Sequence, residues 1–446
     1  MKILKKITGI TSHSKKVAPG NLFIAKKAEF IPEAVANGAI AIATDMHDPF
    51  LKGIVQIVDP DIDKLEMELV EKYYEHSDKK LFLVGITGTS GKTTTSYLIR
   101  HILGKDSCGL IGTIEYIVGK NHLPSTHTTP DLATNHKLFY DMVQHGCKEV
   151  VMEVSSHALE QKRVRGIEFD VAVFTNLTQD HLDYHQTMEK YGEAKAKLFS
   201  QCKTAVINND DSYWRGFKGV TYGIDHPADI QATNIRLSAN GIEFTVQGIP
   251  FKSSLIGRFN IYNCLAAIGV CLFKSMTLCQ IAARIRSFKT VEGRLERVDN
   301  DKGIHVFVDY SHKEDALKNV LQTLNEIKEN RIITVFGCGG DRDQGKRPKM
   351  GRVAAELSDL TIVTSDNPRN EDPNQIIKDI LSGIKDQKSV LVQPDRLEAI
   401  TKAIHLAKKG DIVLIAGKGH ETYQIFATHT IDFDDREIAR LTLMAK

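Results

Sequence analysis

Apolar positions in this chain fall into two alternating rhythms: short continuous runs, and patterns in which apolar residues recur every three or four positions. Leu81–Leu103, LFLVGITGTSGKTTTSYLIRHIL, shows both, with a glycine-rich turn ending at Gly91-Lys92-Thr93 between them. It predicts a strand, a phosphate-binding loop and a helix. From residue 80 to 289 the same alternation predicts βαβ units on a mostly parallel central sheet. Lys148–Val154 and Asp170–Asn176 are further strands there, Asn240-Gly241 marks a hairpin, and Gly257–Phe273 returns to a helix with Asn260 and Asn263 on its first turns. Residues 1–79 read as a small α/β unit, with strands at Leu22–Ala25, Ala39–Thr44 and Gly53–Val58 and helices at Pro32–Asn37 and Asp61–His76. Residues 290–446 read as a Rossmann-like α/β unit, with strands at His305–Asp309, Ile332–Phe336, Leu360–Thr364, Val390–Val392 and Asp411–Ala416 and a closing helix after Asp434. The expectation is an α/β protein of three domains, 1–79, 80–289 and 290–446, which suits 446 residues.

Charge narrows the partners. Lys plus Arg number 58 against 56 Asp plus Glu, a net charge of +2, so no global field favours nucleic acid or an acidic membrane surface. The seven cysteines stand singly, without a C-x-x-C pair or metal-like spacing to histidine, and read as buried thiols in a reducing compartment. MKILKKITGITSHSKK is basic but lacks an apolar signal core, and no run of about 18 apolar residues exists. A cytoplasmic monomer is expected.

Candidate chemistry sits where strands end. Gly88 and Gly91 let backbone N–H groups face phosphate oxygens, with Thr89, Ser90 and Thr94 in the same loop; Lys92 would reach the terminal phosphates and the Thr93 hydroxyl would ligate Mg²⁺. The full eight-residue pattern wants glycine where the chain has Ile86. In Thr128-Thr129-Pro130-Asp131, Thr129 reads as an N-cap before proline at N1; the two threonines could equally hold a substrate phosphate. Glu153 ends a strand beside the loop, as a metal ligand or a salt-bridged structural acid. Gln179–His185 is a polar cluster or a solvated loop, and Lys195 and Lys197 lie about 200° apart on one helix, so only one can face a site. In the third unit, charge gathers at Gly339–Pro348, Asp366–Arg369 and Gly417–Glu421.

Taken in order, GITGTSGKTTT, HTTPD, MEVSSHAL, NLTQDHLDYH, EAKAKLF, GRFNIYNCLAA, GCGGDRDQGKRP, DNPR and AGKGHE resemble the Mur ligases of peptidoglycan synthesis over nearly the whole chain. The resemblance implies ATP contacts at Gly88–Thr94, Asn263, Arg294 and Asp309. It implies Mg²⁺ ligation by Thr93, Glu153, His181 and a carbamylated Lys195, and makes Lys92, Glu153, His181 and Lys195 the catalytic set. Ser14, Thr128, Thr129, Ser155 and Arg163 are similar to residues that hold a UDP-muramoyl-dipeptide. DNPR, as Asp366-Asn367-Pro368-Arg369, resembles the signature for meso-diaminopimelate, with Arg342, Gly417 and Glu421 completing that pocket. The distal end of diaminopimelate carries a carboxylate and an ammonium, so an Arg fork and an acid can each be paired.

The implied reaction is ATP-dependent amide formation on UDP-N-acetylmuramoyl-L-alanyl-D-glutamate through an acyl phosphate, with the third domain closing on the second. L-Lysine is the alternative amine, and a folylpolyglutamate synthetase-like ligase the nearest rival; a P-loop kinase or switch ATPase and a non-catalytic binding protein are more distant. The chain departs from the family pattern in a first domain shortened after Lys27, in His13-Ser14-Lys15 where Asp-Ser-Arg is usual, and in Lys313-Glu314 after Asp309 where Thr-Pro is common.

Overall fold

A computed structural model describes residues 2–445, apart from the side chain of Asp183, so that member of the Gln179–His185 cluster lies outside the described residues. The chain forms two compact units, Met1–Gln231 with Tyr262–Ile281, and Ala232–Ile261 with Ala282–Lys446.

The first unit carries two sheets. Ile10–Thr11, Leu22–Ile24, Ala41–Thr44 and Val55–Val58 pair in parallel and in sequence order. Their inward residues Leu22, Ile24, Ala41 and Ala43 pack with Leu65, Leu69 and Val70 of the helix Ile62–Tyr73. Asp61 caps that helix by accepting from Lys64 N at 3.0 Å. The larger sheet runs Val220–Gly223, Cys202–Asn208, Phe169–Phe174, Phe82–Thr87, Glu149–Glu153 and Cys108–Ile111 in parallel, then adds Glu115–Val118 and Asn121–Pro124 antiparallel. Phe82–Thr87 is central, with Glu149–Glu153 on one side and Phe169–Phe174 on the other, and the chain leaves it for Cys108–Ile111, one strand further out. The carboxyl end of Phe82–Thr87 is therefore a switch point, where parallel sheets open a ligand crevice.

In the second unit Glu296–Val298, His305–Asp309, Ile412–Ala416, Ile332–Phe336, Leu360–Val363 and Val390–Val392 form one sheet, parallel except for its first strand. Alternate residues serve opposite layers. Phe307, Phe336 and Leu414 pack under Glu314–Ile327, Lys346–Leu357 and Pro373–Leu381, whereas Val306, Val335 and Val413 pack under Arg396–Leu406 and Asp435–Met444. Burial on both faces explains why these strands read as continuous apolar runs. The predicted hairpin forms too: Gly241–Val246 pairs antiparallel with Ile230–Ser238 and Ile249–Ser253.

Two expectations are overturned. The helix Leu132–Gln144 is capped by Asp131, not Thr129: Asp131 Oδ1 accepts from Thr134 N at 3.0 Å and Oδ2 from Thr134 Oγ1 at 2.8 Å. A carboxylate closer to the free N–H groups outcompetes the hydroxyl two residues earlier. The cysteines are not all buried, for Cys279 is exposed and Cys202 half-buried.

Candidate active site

The switch point of the first unit is built on two glycines. Gly88 (φ 139°) and Gly91 (φ 87°) adopt backbone that side chains resist; a Cβ on Gly88 would collide with Thr175 Oγ1, and one on Gly91 would stand 2.6 Å from Asn263 Oδ1. The helix Lys92–Leu103 then starts directly at the loop. Lys92 folds back, its Nζ donating to Gly88 O at 2.9 Å and Thr89 O at 2.8 Å. The loop is tied to the next strand by Ser90 N donating to Asn176 Oδ1 at 2.9 Å and by Thr175 Oγ1 donating to Ser90 O at 2.8 Å. Asn263 reaches the same helix, accepting from Thr95 Oγ1 at 3.2 Å.

Glu153 is fully buried and is held by threonines. Its Oε2 accepts from Thr93 Oγ1 at 3.1 Å and Thr113 Oγ1 at 3.0 Å, and its Oε1 from Thr113 N at 3.2 Å. Thr113 Oγ1 lies 3.0 Å from Thr128 Oγ1, while Thr129 Oγ1 donates to Glu153 O at 2.8 Å and accepts from Ser155 N at 3.0 Å. Arg163 Nη1 completes the cluster by donating to Thr129 O at 2.9 Å. Thr128 thus joins Glu153 through Thr113, and Thr129, Ser155 and Arg163 join it through its main-chain carbonyl, while the carboxylate itself meets Thr113 and the loop's own Thr93. Ser14 does not join this network, its hydroxyl donating to Glu33 Oε2 at 2.5 Å, although its neighbour His13 stands 3.6 Å from Asp131 Oδ2.

On the other flank of the loop, Lys195 is buried with its Nζ donating to Gly88 O at 2.8 Å and lying 4.5 Å above the Tyr191 ring. Burial first, and then the charge of Lys92, push its pKa well below the usual lysine range. Lys197 turns outward to Glu160 at 2.6 Å. His181 (φ 53°) is about half exposed, 4.9 Å from the His157 ring and 6.2 Å from that of Tyr191. Among the described residues no three His, Cys, Asp or Glu side chains stand together as a ready metal cage.

The second unit holds a cavity of about 720 Å³ at the carboxyl ends of its strands, lined by Arg342, Asp366, Asn367, Arg369, Gly417 and Glu421 together with Tyr310, Lys346, Lys349 and Tyr423. Pro368 is not among the lining residues. Asn367 is the hub: its Nδ2 donates to Glu421 Oε2 at 3.0 Å, while its Oδ1 accepts from Lys418 Nζ at 3.0 Å and Ile425 N at 3.0 Å. Arg369 (φ 52°) donates from Nη1 to Gly340 O at 2.9 Å. Beside the cavity, Asp309 is buried and accepts from Leu295 N at 2.7 Å, from Ser311 N at 2.8 Å and from the Ser311 hydroxyl. Burial raises its pKa. Arg294 lies 5.4 Å over the Tyr310 ring, its buried Nε without a hydrogen-bond partner.

Residues 86–271 match the description "Mur ligase middle domain" and residues 293–419 match "Mur ligase, glutamate ligase domain". The UDP-N-acetylmuramoyl-L-alanyl-D-glutamate–2,6-diaminopimelate ligase of Geobacillus kaustophilus is 43% identical over 463 residues, covering 97% of this chain and 94% of its own. The chain belongs to the Mur ligase family. The ligase of the same name from Chlamydia caviae is 44% identical over 466 residues, covering 98% of this Mur ligase and 95% of its own length. A solved structure of a UDP-N-acetylmuramoyl-L-alanyl-D-glutamate–2,6-diaminopimelate ligase superposes with a TM-score of 0.74 at 36% identity, covering 98% of this chain and 95% of that one. The α/β architecture read from the sequence is thus that of the Mur ligases.

Two polar residues of this Mur ligase escaped the sequence reading. Thr113 grips both oxygens of Glu153, and Lys418 is fully buried with Nζ 3.3 Å from Glu421 Oε2. Thr113 follows Gly112 at the end of the short strand Cys108–Ile111, and that glycine, where a Cβ would stand 2.6 Å from Glu153 Oε1, was the signal available for it. Lys418 was legible only as part of Gly417-Lys418-Gly419, because a lysine in a loop usually reads as solvated. No helix is long and apolar enough to cross a membrane among the described residues.

Proposed function

We propose that this Mur ligase joins meso-diaminopimelate to the D-glutamyl γ-carboxylate of UDP-N-acetylmuramoyl-L-alanyl-D-glutamate, using ATP and forming an acyl phosphate on the way. The observation that carries the choice of amine is the second unit's cavity, where Arg369, Asp366, Asn367 and Glu421 offer both signs of charge to one small molecule. A substrate end bearing a carboxylate and an ammonium matches that pairing, whereas the side-chain end of lysine would leave Arg369 facing a cation.

The chemistry follows from the groups present. The γ-carboxylate oxygen attacks the γ-phosphorus of ATP and ADP leaves; the amine nitrogen then attacks the acyl carbon, phosphate leaves and the nitrogen sheds its proton. Gly88–Thr94 cradle the triphosphate, and Lys92 exchanges loop carbonyls for phosphate oxygens, with Asn263, Arg294 and Asp309 as further nucleotide contacts. The Thr93 hydroxyl and Glu153 carboxylate are hard oxygen donors of the kind Mg²⁺ takes beside water and phosphate, with His181 as a further ligand, and the ion bound there would neutralise charge on the transferring phosphoryl group. Lys195, whose pKa burial and then Lys92 push well below the usual lysine range, would in its neutral form add CO₂, lose a proton and become an anionic carbamate, the ligand of a second ion.

We assign Thr128, Thr129, Ser155 and Arg163 to the muramoyl-dipeptide, a reading supported by their shared hydrogen-bond network beside Glu153. We assign residues 1–79 to the uridine nucleotide, with Ser14 its contact, 80–289 to ATP and 290–446 to the amino acid; a cytoplasmic monomer with no nucleic-acid or membrane partner completes the reading.

The test is ligation with purified protein, ATP, Mg²⁺ and UDP-N-acetylmuramoyl-L-alanyl-D-glutamate, with meso-diaminopimelate and L-lysine offered in parallel and tripeptide read by mass. Product with diaminopimelate alone is expected. Product with lysine alone overturns the choice of amine, and none with either overturns the ligase reading.

A further inference from the structure

Arg396 does not line the cavity; it is 1% exposed, on the first turn of the helix Arg396–Leu406. Its guanidinium makes four bonds. Nε and Nη2 donate to Asp435 Oδ1 and Oδ2 at 2.8 and 2.7 Å, a bidentate pair with both side chains fully buried. Nη1 donates to Ser365 O at 3.2 Å and Nη2 also to Ala416 O at 3.1 Å. Those carbonyls belong to the peptides that lead into Asp366 and Gly417, and both of these residues line the cavity.

We infer that Arg396 is the positioning residue of the amino-acid pocket, one guanidinium setting the Asp366–Arg369 and Gly417–Glu421 loops at a fixed spacing so that their side chains read the amine substrate together. A peptide is planar, so holding the carbonyl fixes the direction of the N–H across the same bond. At Ala416–Gly417 this is visible: the carbonyl meets Arg396 while Gly417 N donates to Asp309 O at 3.0 Å on the other side. Asp435 matters as the anchor that keeps the cation buried and oriented, since a bidentate carboxylate allows the fork one orientation. A lysine can neither make the bidentate pair nor reach two carbonyls in fixed directions. The two loops come from strands with Ile332–Phe336 between them, so no ladder bond sets their spacing directly.

The inference rests on the proposed amine ligation, and the experiment separates the two. Steady-state ligation by full-length wild type and Arg396→Lys is compared with Arg331→Lys, whose partner Asp411 lies 2.7 Å away at the opposite end of the strand Ile412–Ala416. Arg396→Lys is expected to raise KM for diaminopimelate about tenfold or more, the scale of a lost charged hydrogen bond, with KM for the UDP-linked acceptor unchanged. Arg331→Lys should lower Tm and leave both KM values alone. A lowered Tm with unchanged amine KM in Arg396→Lys overturns the inference and leaves the ligase reading standing; a wild type that ligates no amine overturns both. Should Arg396→Lys fail to fold, Asp435→Asn carries the test in the same terms, a raised amine KM supporting the inference and an unchanged one overturning it.

Discussion

The two halves of the chemistry handle cations in opposite ways. At the phosphate loop, Lys92 and Lys195 both donate to the carbonyl of Gly88, at 2.9 and 2.8 Å, and neither hydrogen bond ends on a carboxylate. Around the amino-acid cavity every buried cation is seated on an acid: Lys418 on Glu421, Arg347 on Glu371 and Asp379, Arg396 on Asp435. The first arrangement brings two amines to one carbonyl, which favours an anion at the loop, and burial, then the charge of Lys92, pushes the Lys195 pKa well below the usual lysine range. The second spends its charge on geometry, because selecting between amino acids needs groups of both signs at fixed positions rather than a strong field. On the proposed reading one site binds anions and the other discriminates between amines.

Breaking the first arrangement should have the larger effect. Lys92→Ala removes the group that follows charge onto the transferring phosphoryl, and a loss of about 10³-fold or more in ADP release dependent on acceptor and amine is expected. A variant that keeps most of that activity would sink the assignment. Breaking the second should cost less and show in one constant: Arg369→Ala is expected to raise KM for diaminopimelate roughly 10- to 100-fold, the range for a hydrogen bond to a charged group, and to narrow the preference over lysine. Equal losses with both amines would mean that Arg369 only supports the loop through Gly340 O.

A third test reads the buried amine of Lys195 through pH. Lys195 has a folded-state pKa below its unfolded value, so between the two values the unfolded chain binds the extra proton and stability rises with pH. Relative to Lys195→Met, wild type in CO₂-free buffer should therefore gain Tm as pH climbs from about 7 toward the ordinary lysine range near 10.4. A gap in Tm that stays constant across that window contradicts a lowered Lys195 pKa.

The phosphate loop and strand ends were legible because their signals are local: glycines where φ must be positive, apolar runs, and the order of the motifs. What was not legible depends on partners distant in sequence. Pro130 after Thr129 is a sound helix start, yet the Thr129 hydroxyl is drawn to Glu153 O and Asp131 takes the cap. The grip of Thr113 on Glu153 and the burial of Lys418 are products of tertiary packing that no window of sequence contains. Arg396 is the sharpest case, since an arginine on the first turn of a helix reads as a surface charge until Asp435 closes over it.

The smallest predicted effect is the cleanest control on the comparison. Lys195 and Lys197 differ by two positions on one stretch of helix; helical spacing could say only that one of them faces a site, and the family resemblance chose Lys195. The structure sends Lys195 inward to Gly88 O and Lys197 outward to Glu160, a pair whose side chains are 47% and 37% exposed. A solvent-screened pair of this kind contributes about 0.2–1 kcal/mol at most. Lys197→Ala should therefore leave ligation unchanged and move Tm by no more than a few degrees, on the order of what such an energy allows. The same substitution at Lys195 should abolish turnover. If Lys197→Ala also lost activity, the distinction would fail, because a surface ion pair would then be shaping the phosphate site that the structure ties to Lys195 alone of the two.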